Sequence, residues 1–292
     1  MKYLSLLSVL SFACLSAFAN TPPQTQLDQL EKSFDGEIGL YAMDTNTNQM
    51  IAHRANERFP VQSTMKLIAV AALLKQSDQN PNLLQENIHY TKKDLMTWCP
   101  VTGQHIATGM TLEALSEAAM TYSDNVAANL IMKKMGGPQS VTAFARSIGN
   151  SSFNVKHYEG NLNSNPHNIE DTSTPKDMAD SLQSLTLGNG LIPTQRAQLI
   201  GWMKNNTTGY KRIRAGVPIG WVVADKTGSG EYGIANDIGI LWAPACKPIV
   251  LAIYTVQNKQ TAQSRDDVVA ATTNIILNTF AKQDTCLKVK LA

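Results

Sequence analysis

The sequence predicts an α/β fold with an all-α insertion: an antiparallel sheet built from both chain termini, packed with helices, and a helical region between its two halves. Three observations carry this. Strand-like apolar runs lie near both chain ends, the span from Ser63 to about Met203 is mostly helical in pattern, and no low-complexity linker or internal repeat interrupts the 292 residues.

Thr25 to Phe34 is amphipathic, with Leu27, Leu30 and Phe34 on one side of a helix. Glu37 to Met43 and Gln49 to His53 follow as two strands around the polar turn Asp44–Asn48. Leu67 to Leu74 is apolar with helical composition, and Thr111 to Ala119 is a further helical run. Trp221 to Ala224 is strand-like. Asp237 to Trp242 and Pro248 to Val256 are apolar strands joined by the turn Ala243–Lys247. Asp266 to Phe280 is a closing helix whose acidic start, Asp266 and Asp267, suits the helix dipole. The strand from Pro248 runs about 30 Å away from Cys246 at roughly 3.3 Å per residue. The last helix returns about 22 Å at roughly 1.5 Å per residue, and its tail reaches Cys286. A Cys246–Cys286 disulfide is therefore one reading, and two unpaired thiols stand nearly level with it.

Three short motifs bear the chemistry. In Ser63-Thr64-Met65-Lys66, serine and lysine are three apart at the head of a helix, so they share a face. A serine hydroxyl is a weak nucleophile until a neighbouring base takes its proton. Ser123-Asp124-Asn125 follows a helical run, and Lys226-Thr227-Gly228-Ser229-Gly230 follows a strand. Each alone fits a surface or capping role. In this order they form the S-x-x-K, S-D-N and K-T-G set of class A β-lactamases and penicillin-binding proteins.

Over nearly its whole mature length the chain resembles a class A serine β-lactamase. The resemblance implies an α/β domain from both termini, an all-α domain between them, and a site at their junction. It implies that Ser63 attacks the β-lactam carbonyl, with the backbone N–H groups of Ser63 and Ser229 as oxyanion hole. Lys66 would be the acylation base or its electrostatic support, and Ser123 would carry a proton to the lactam nitrogen. Lys226, Thr227 and Ser229 would hold the substrate carboxylate, Asn125 its amide side chain, and Trp98 would form an aromatic wall. The polar stretch Gly149–Pro175 resembles the family's omega loop, at about 154–172, where Glu159 and Asn163 would hold the water that deacylates the enzyme. Arg212 matches a position from which some relatives supply an extra charge for the carboxylate. The bland reading of Arg212 is a surface basic cluster, Lys211–Arg214.

Departures from the family's pattern are also visible. Gly160 stands where proline is usual. His157 replaces an arginine that pairs with an aspartate, here Asp171, and a histidine there implies an omega loop more sensitive to pH. Gln62 and Gly230 stand where several carbapenem-hydrolysing relatives have bridged cysteines, an absence that weighs mildly against strong carbapenemase activity.

The ends and composition bound the rest. Lys2, the apolar Tyr3–Phe18 and the A-x-A site Ala17-Phe18-Ala19 form a secretory signal, with cleavage expected after Ala19 and a periplasmic destination. Lipoprotein processing at Cys14 ranks second. The expected division is a signal at 1–19, an α/β domain from 20–61 and 205–292, and an all-α domain at 62–204. Removing Lys2 leaves 24 basic and 23 acidic residues, a balance that gives no reason to expect nucleic acid or a membrane surface as partner. The five histidines lack a ligand-spaced pair, so no metal or other cofactor is expected. β-Lactam antibiotics are the expected partners of a monomeric enzyme. A D,D-peptidase shares the three motifs but should lack the deacylating glutamate. A β-lactam sensor would carry membrane spans, and no second apolar run is long enough.

Overall fold

The computed structural model describes residues 21–291; the candidate leader and its cleavage site lie outside them. In chain order the elements are α1 (Pro23–Phe34), β1 (Gly36–Asp44), β2 (Met50–His53), β3 (Phe59–Pro60), α2 (Met65–Gln76), β4 (Asn87–Ile88), β5 (Met110–Thr111), α3 (Leu112–Thr121), α4 (Asn125–Lys134) and α5 (Pro138–Ser147). They continue with β6 (Thr172–Ser173), α6 (Pro175–Thr186), α7 (Pro193–Lys204), β7 (Val222–Gly230), β8 (Ile234–Trp242), β9 (Ile249–Gln257), α8 (Asp266–Phe280) and α9 (Thr285–Leu291).

The sheet has the order β2-β1-β9-β8-β7 and is antiparallel throughout. Strands from the two ends of the chain meet along its middle, where β1 pairs with β9 from Gly36↔Gln257 to Asp44↔Ile249. Alternation along β9 explains its apolar run from Ile249 to Tyr254. Val250, Ala252, Tyr254 and Val256 pack into the core shared with the inserted helices, and Ile249, Leu251 and Ile253 into the core under α1 and α8. With both faces covered, the buried polar side chain on this strand, Thr255, spends its hydroxyl on the Ala235 backbone of β8.

Local chemistry sets the helix ends. Pro23 opens α1, because the first turn needs no N–H from it, and Asp35 closes the helix in the left-handed region at φ 52°. Thr111, Asp124 and Thr174 cap α3, α4 and α6 through side-chain oxygens that accept backbone N–H bonds. Residues Met65 to Leu74 of α2 are buried on every side, so α2 is the central rod of the helical region. Glu31 ties α1 to the sheet. Burial works to raise the pKa of its carboxyl, but hydrogen bonds from His53, Arg54 and the Ile38 N–H outweigh that and hold it at about 2.

Two features refine the sequence expectation. Ser63 does not begin the α-helix itself; it lies in a 3-10 turn, Gln62–Thr64, that feeds into α2 at Met65. The inserted region also contains short ladders, β4 with β5, and β3 with β6, the second tying the segment before Ser63 to the end of the omega loop. Two-residue strands carry too little alternation for the sequence to reveal them.

Cys246 and Cys286 form a disulfide with Cα atoms 5.9 Å apart, so the topological reading prevails over two free thiols. Cys99 is the free cysteine among the described residues. Closing a loop with a sequence separation of 40 residues stabilises by about 4 kcal/mol in the chain-entropy account. Thiol counting on the denatured, unreduced mature chain is expected to find one thiol, and Cys286→Ser to lower unfolding stability by up to that amount. A count of three would contradict the bridge.

Candidate active site

Ser63 and Lys66 are brought together through a third group. The Ser63 hydroxyl donates to Glu159 Oε1 at 3.0 Å, and Lys66 Nζ lies 3.0 Å from the same oxygen. The sequence places the amine directly beside the hydroxyl; in the structure the Glu159 carboxylate sits between them. Lys66 Nζ also donates to the Ser123 carbonyl and to Asn125 Oδ1, each at 2.7 Å, and lies 3.2 Å from Ser123 Oγ. Lys66 is fully buried, and loss of solvent pushes its pKa down while Glu159 pulls it back up.

Ser123 occupies the turn between α3 and α4 with φ 58°, in the left-handed region. Its hydroxyl lies between the two lysines, 3.0 Å from Lys226 Nζ on the far side. Asp124 supports the turn. It accepts from Ala127 N at the head of α4 and from Val101 N, Thr102 N and Thr102 Oγ1 in the preceding loop. Asn125 Nδ2 donates one bond to the Thr97 carbonyl, and its second N–H is available to a substrate. Trp98 is 58% exposed at the cavity rim; its Nε1–H donates to the Tyr122 carbonyl, and its own carbonyl accepts from Asn125 N.

The third motif lies on β7, at the edge of the sheet. Lys226 is fully buried, and desolvation followed by the nearby Lys66 charge brings its amine down to about 7. Gly228 lets the strand press against the nucleophile's backbone: a Cβ there would stand 3.0 Å from the Val61 carbonyl and 3.2 Å from Ser63 N. Thr227 Oγ1 shares a hydrogen bond with Thr208 Oγ1. Arg212 is buried, which excludes a surface cluster. Its Nη2 donates to Ser229 Oγ at 2.7 Å, its Nη1 to the Gly228 and Asn236 carbonyls, and its Nε to Asp266 at the start of α8.

Glu159 is positioned by Asn129, one turn after Asn125 on α4. Asn129 Oδ1 accepts from Glu159 N at 2.8 Å, and Nδ2 donates to the Glu159 carbonyl at 3.2 Å. Gly160 has φ 92°, a conformation closed to the proline usual there. Asp171, fully buried, accepts from the backbone N–H groups of Lys156, His157 and Asn163 and pairs with His157 Nδ1 at 2.7 Å. Asn163 departs from expectation. Its Nδ2 donates to the carbonyls of Asn165, Asn168 and Glu170, and its Oδ1 accepts from Asn165 N. The amide is thus turned into the loop, and Oδ1 keeps one lone pair for another donor.

Ser63, Ser123, Asn125, Glu159, Thr227 and Ser229 line one cavity of about 560 Å³, with Trp98 at its rim. Thr207 and Thr208 line it too and were missed from sequence, because nothing in a Thr-Thr pair marks it. Asn129 was also missed, although its spacing of four from Asn125 places both on one helix face. A serine hydroxyl bonded to a carboxylate, with two buried amines bonded to Ser123 and a buried guanidinium bonded to Ser229, suits acyl transfer from a substrate that carries a carboxylate.

The comparisons agree with that chemistry. Residues 22–280 match the model of the Beta-lactamase enzyme family. "Beta-lactamase 3" of Bacillus cereus is 49% identical over 86% of this chain and 79% of its own length. "Beta-lactamase CTX-M-97" of Escherichia coli is 46% identical over 92% of this chain and 93% of its own. Among solved structures, a class A beta-lactamase from Mycobacterium abscessus superposes with a TM-score of 0.86 at 42% identity, covering 89% of this chain and 99% of that one. The chain belongs to the β-lactamase enzyme family, and it is a hydrolase acting on β-lactams.

Proposed function

We propose that the enzyme hydrolyses penicillins and cephalosporins through an acyl-enzyme on Ser63, and so confers resistance to them. The observation that carries this reading is the single Glu159 oxygen held 3.0 Å from both Ser63 Oγ and Lys66 Nζ. Glu159 accepts the Ser63 proton as Oγ attacks the lactam carbonyl, and the oxyanion is received by the N–H groups of Ser63 and Ser229, which Gly228 allows to converge. Lys66, surrounded by acceptors, acts as the cation that stabilises this transfer. Ser123, between Lys66 and Lys226, passes a proton to the departing nitrogen. Lys226, Thr227, Ser229 and Arg212 bind the substrate carboxylate, Asn125 the acylamino group, and Trp98 flanks the entrance. Glu159 then activates water against the ester, with Asn163 Oδ1 as a second contact for that water.

Around this centre we divide the described chain at 61/62 and 204/205 into the α/β and helical domains. We further propose export as a monomer to the periplasm after cleavage following Ala19. No helix among the described residues is long and apolar enough to cross a membrane.

Mass spectrometry of wild type and Glu159→Ala with a chromogenic cephalosporin tests the mechanism. Wild type is expected to turn over rapidly, and the variant to accumulate a stable adduct on Ser63 with deacylation slowed at least 10²-fold, the scale of general-base catalysis. The same spectrum reports whether the mature chain begins at Asn20. A lasting adduct in wild type would point to a sensor or peptidase instead.

Removing the Arg212 guanidinium leaves Ser229 Oγ without its donor. Arg212→Ala is expected to raise KM for penicillins about tenfold, the effect of losing one charged hydrogen bond. Unchanged KM and kcat would remove Arg212 from the site.

Lys226 gives a pH dependence of defined sign. Its amine is charged below about 7 and neutral above. Capture of an anionic substrate, and hence kcat/KM, therefore declines as pH rises through that value. Saturating substrate supplies a carboxylate that favours the charged form, so kcat holds to higher pH. The limb belongs jointly to Lys226 and Lys66, which interact. Lys226→Arg, always charged, should move the kcat/KM limb upward; an unmoved limb assigns it to another group.

A further inference from the structure

The residue before the nucleophile makes a contact that the mechanism above does not use. Gln62 is buried and has φ 48°, a left-handed conformation uncommon for a residue with a β-carbon. Its side chain crosses to the omega loop, where Nε2 donates to the Asn163 carbonyl at 2.7 Å and to Ser164 Oγ at 3.0 Å. Gly230 leaves the room for this crossing: a Cβ there would stand 2.8 Å from both Gln62 Cδ and Ser164 Oγ.

The same short segment is already joined to the far end of the loop. Pro60 pairs with Thr172, and Val61 N donates to the Asp171 carbonyl at 2.8 Å. Those backbone contacts fix where the loop leaves the site. The Gln62 amide instead grips the inner rim, four residues after Glu159. Asn163 is then held from two sides, its N–H by Asp171 and its carbonyl by Gln62. Ser63 and Glu159 are thus linked by a second route, through Gln62 and Asn163, besides the direct hydrogen bond that acylation of the serine removes.

We propose that Gln62 is a positioning residue for deacylation: its amide tethers the omega loop to the nucleophile segment and sets the distance between Glu159 and the acylated serine. The inference rests on the reading of Glu159 as the deacylating base. Acylation tolerates its loss better, because Glu159 then acts on Ser63 Oγ across a direct hydrogen bond that Lys66 and Asn129 also hold in place, and the carboxylate site lies on β7 rather than on the loop. Deacylation needs a water placed between Glu159 and the ester carbon, and an error of about 1 Å in such a placement costs on the order of 10²-fold.

Gln62→Met keeps the side-chain length and removes both donors, so it separates the hydrogen bonds from the packing. Single-turnover and steady-state kinetics with a chromogenic cephalosporin are measured beside intact-mass spectra, with Glu159→Ala as the control. The expected result is acylation within twofold of wild type, deacylation slowed about tenfold or more, and a populated adduct on Ser63. Ser164→Ala removes one of the two acceptors without touching the serine, lysine or glutamate of the site. Deacylation alone should fall about two- to threefold, and this effect should vanish in the Gln62→Met background. A Gln62→Met protein that deacylates like wild type, or that loses both steps equally, overturns the proposal. If Gln62→Met fails to fold, unchanged deacylation in Ser164→Ala overturns it. If Glu159→Ala shows no adduct, the reading of the base fails instead, which separates the two ideas.

Discussion

Lys66 is an ammonium group with no access to water, on a helix whose other buried neighbours are apolar. Stripping such a charge of solvent costs several kcal/mol even after the protein relaxes. The compensation is geometric: three N–H donors meet the Ser123 carbonyl, Asn125 Oδ1 and Glu159 Oε1. These acceptors come from the turn after α3, the start of α4 and the omega loop. The need to satisfy one buried cation therefore sets the relative placement of three segments that share no secondary structure. Loss of any one acceptor leaves charge exposed to a low-dielectric interior, so the arrangement is held by a penalty as much as by its own bonds.

Part of the backbone strain gathers around the same site. Gln62, Trp98, Ser123 and Asp171 all have positive φ, and all surround the cavity or hold the omega loop beside it. Such conformations cost on the order of 1–3 kcal/mol each and persist only when neighbours over-determine them. Each of these has such neighbours. Ser123 is held between two lysines, Trp98 by its bonds with Tyr122 and Asn125, and Asp171 by Val61 N and its own carboxylate's donors. The apolar core packed around α2 and the facing side of the sheet lies directly behind these residues.

How much of this could be read from the sequence follows the same division. The sheet from both termini was legible because β9 from Ile249 to Tyr254 and β8 from Ile238 to Leu241 are buried on both faces and so read as apolar runs. The disulfide was legible as far as topology goes, since an outgoing strand and a returning helix bring Cys246 and Cys286 to one end. Ser63, Lys66, Ser123 and Lys226 were legible because their motifs fix residue type and order. What stayed hidden was contact made across the fold by side chains of ordinary type. Asn129 holding Glu159, Thr208 meeting Thr227, and Gln62 reaching Asn163 leave no periodic trace. Arg212 could be placed only by its resemblance, because its burial beside Asp266 depends on how α8 packs.

The histidine at 157 shares Asp171 with partners that an arginine in its place would also have met. The aspartate's carboxylate has no exposure and accepts four bonds. Three come from backbone N–H groups, those of Lys156 and His157 on Oδ1 and of Asn163 on Oδ2. Those donors do not titrate. The fourth comes from His157 Nδ1 and survives in the neutral imidazole whenever the proton sits on that nitrogen. An arginine would add charge, but the carboxylate's desolvation is already offset mainly by amide dipoles of the loop's own backbone. The loop therefore folds around Asp171 rather than onto a cation. Its shape depends on Lys156, His157 and Asn163 keeping their N–H groups aimed inward, and Gly160 between them takes a left-handed turn that the chain follows here.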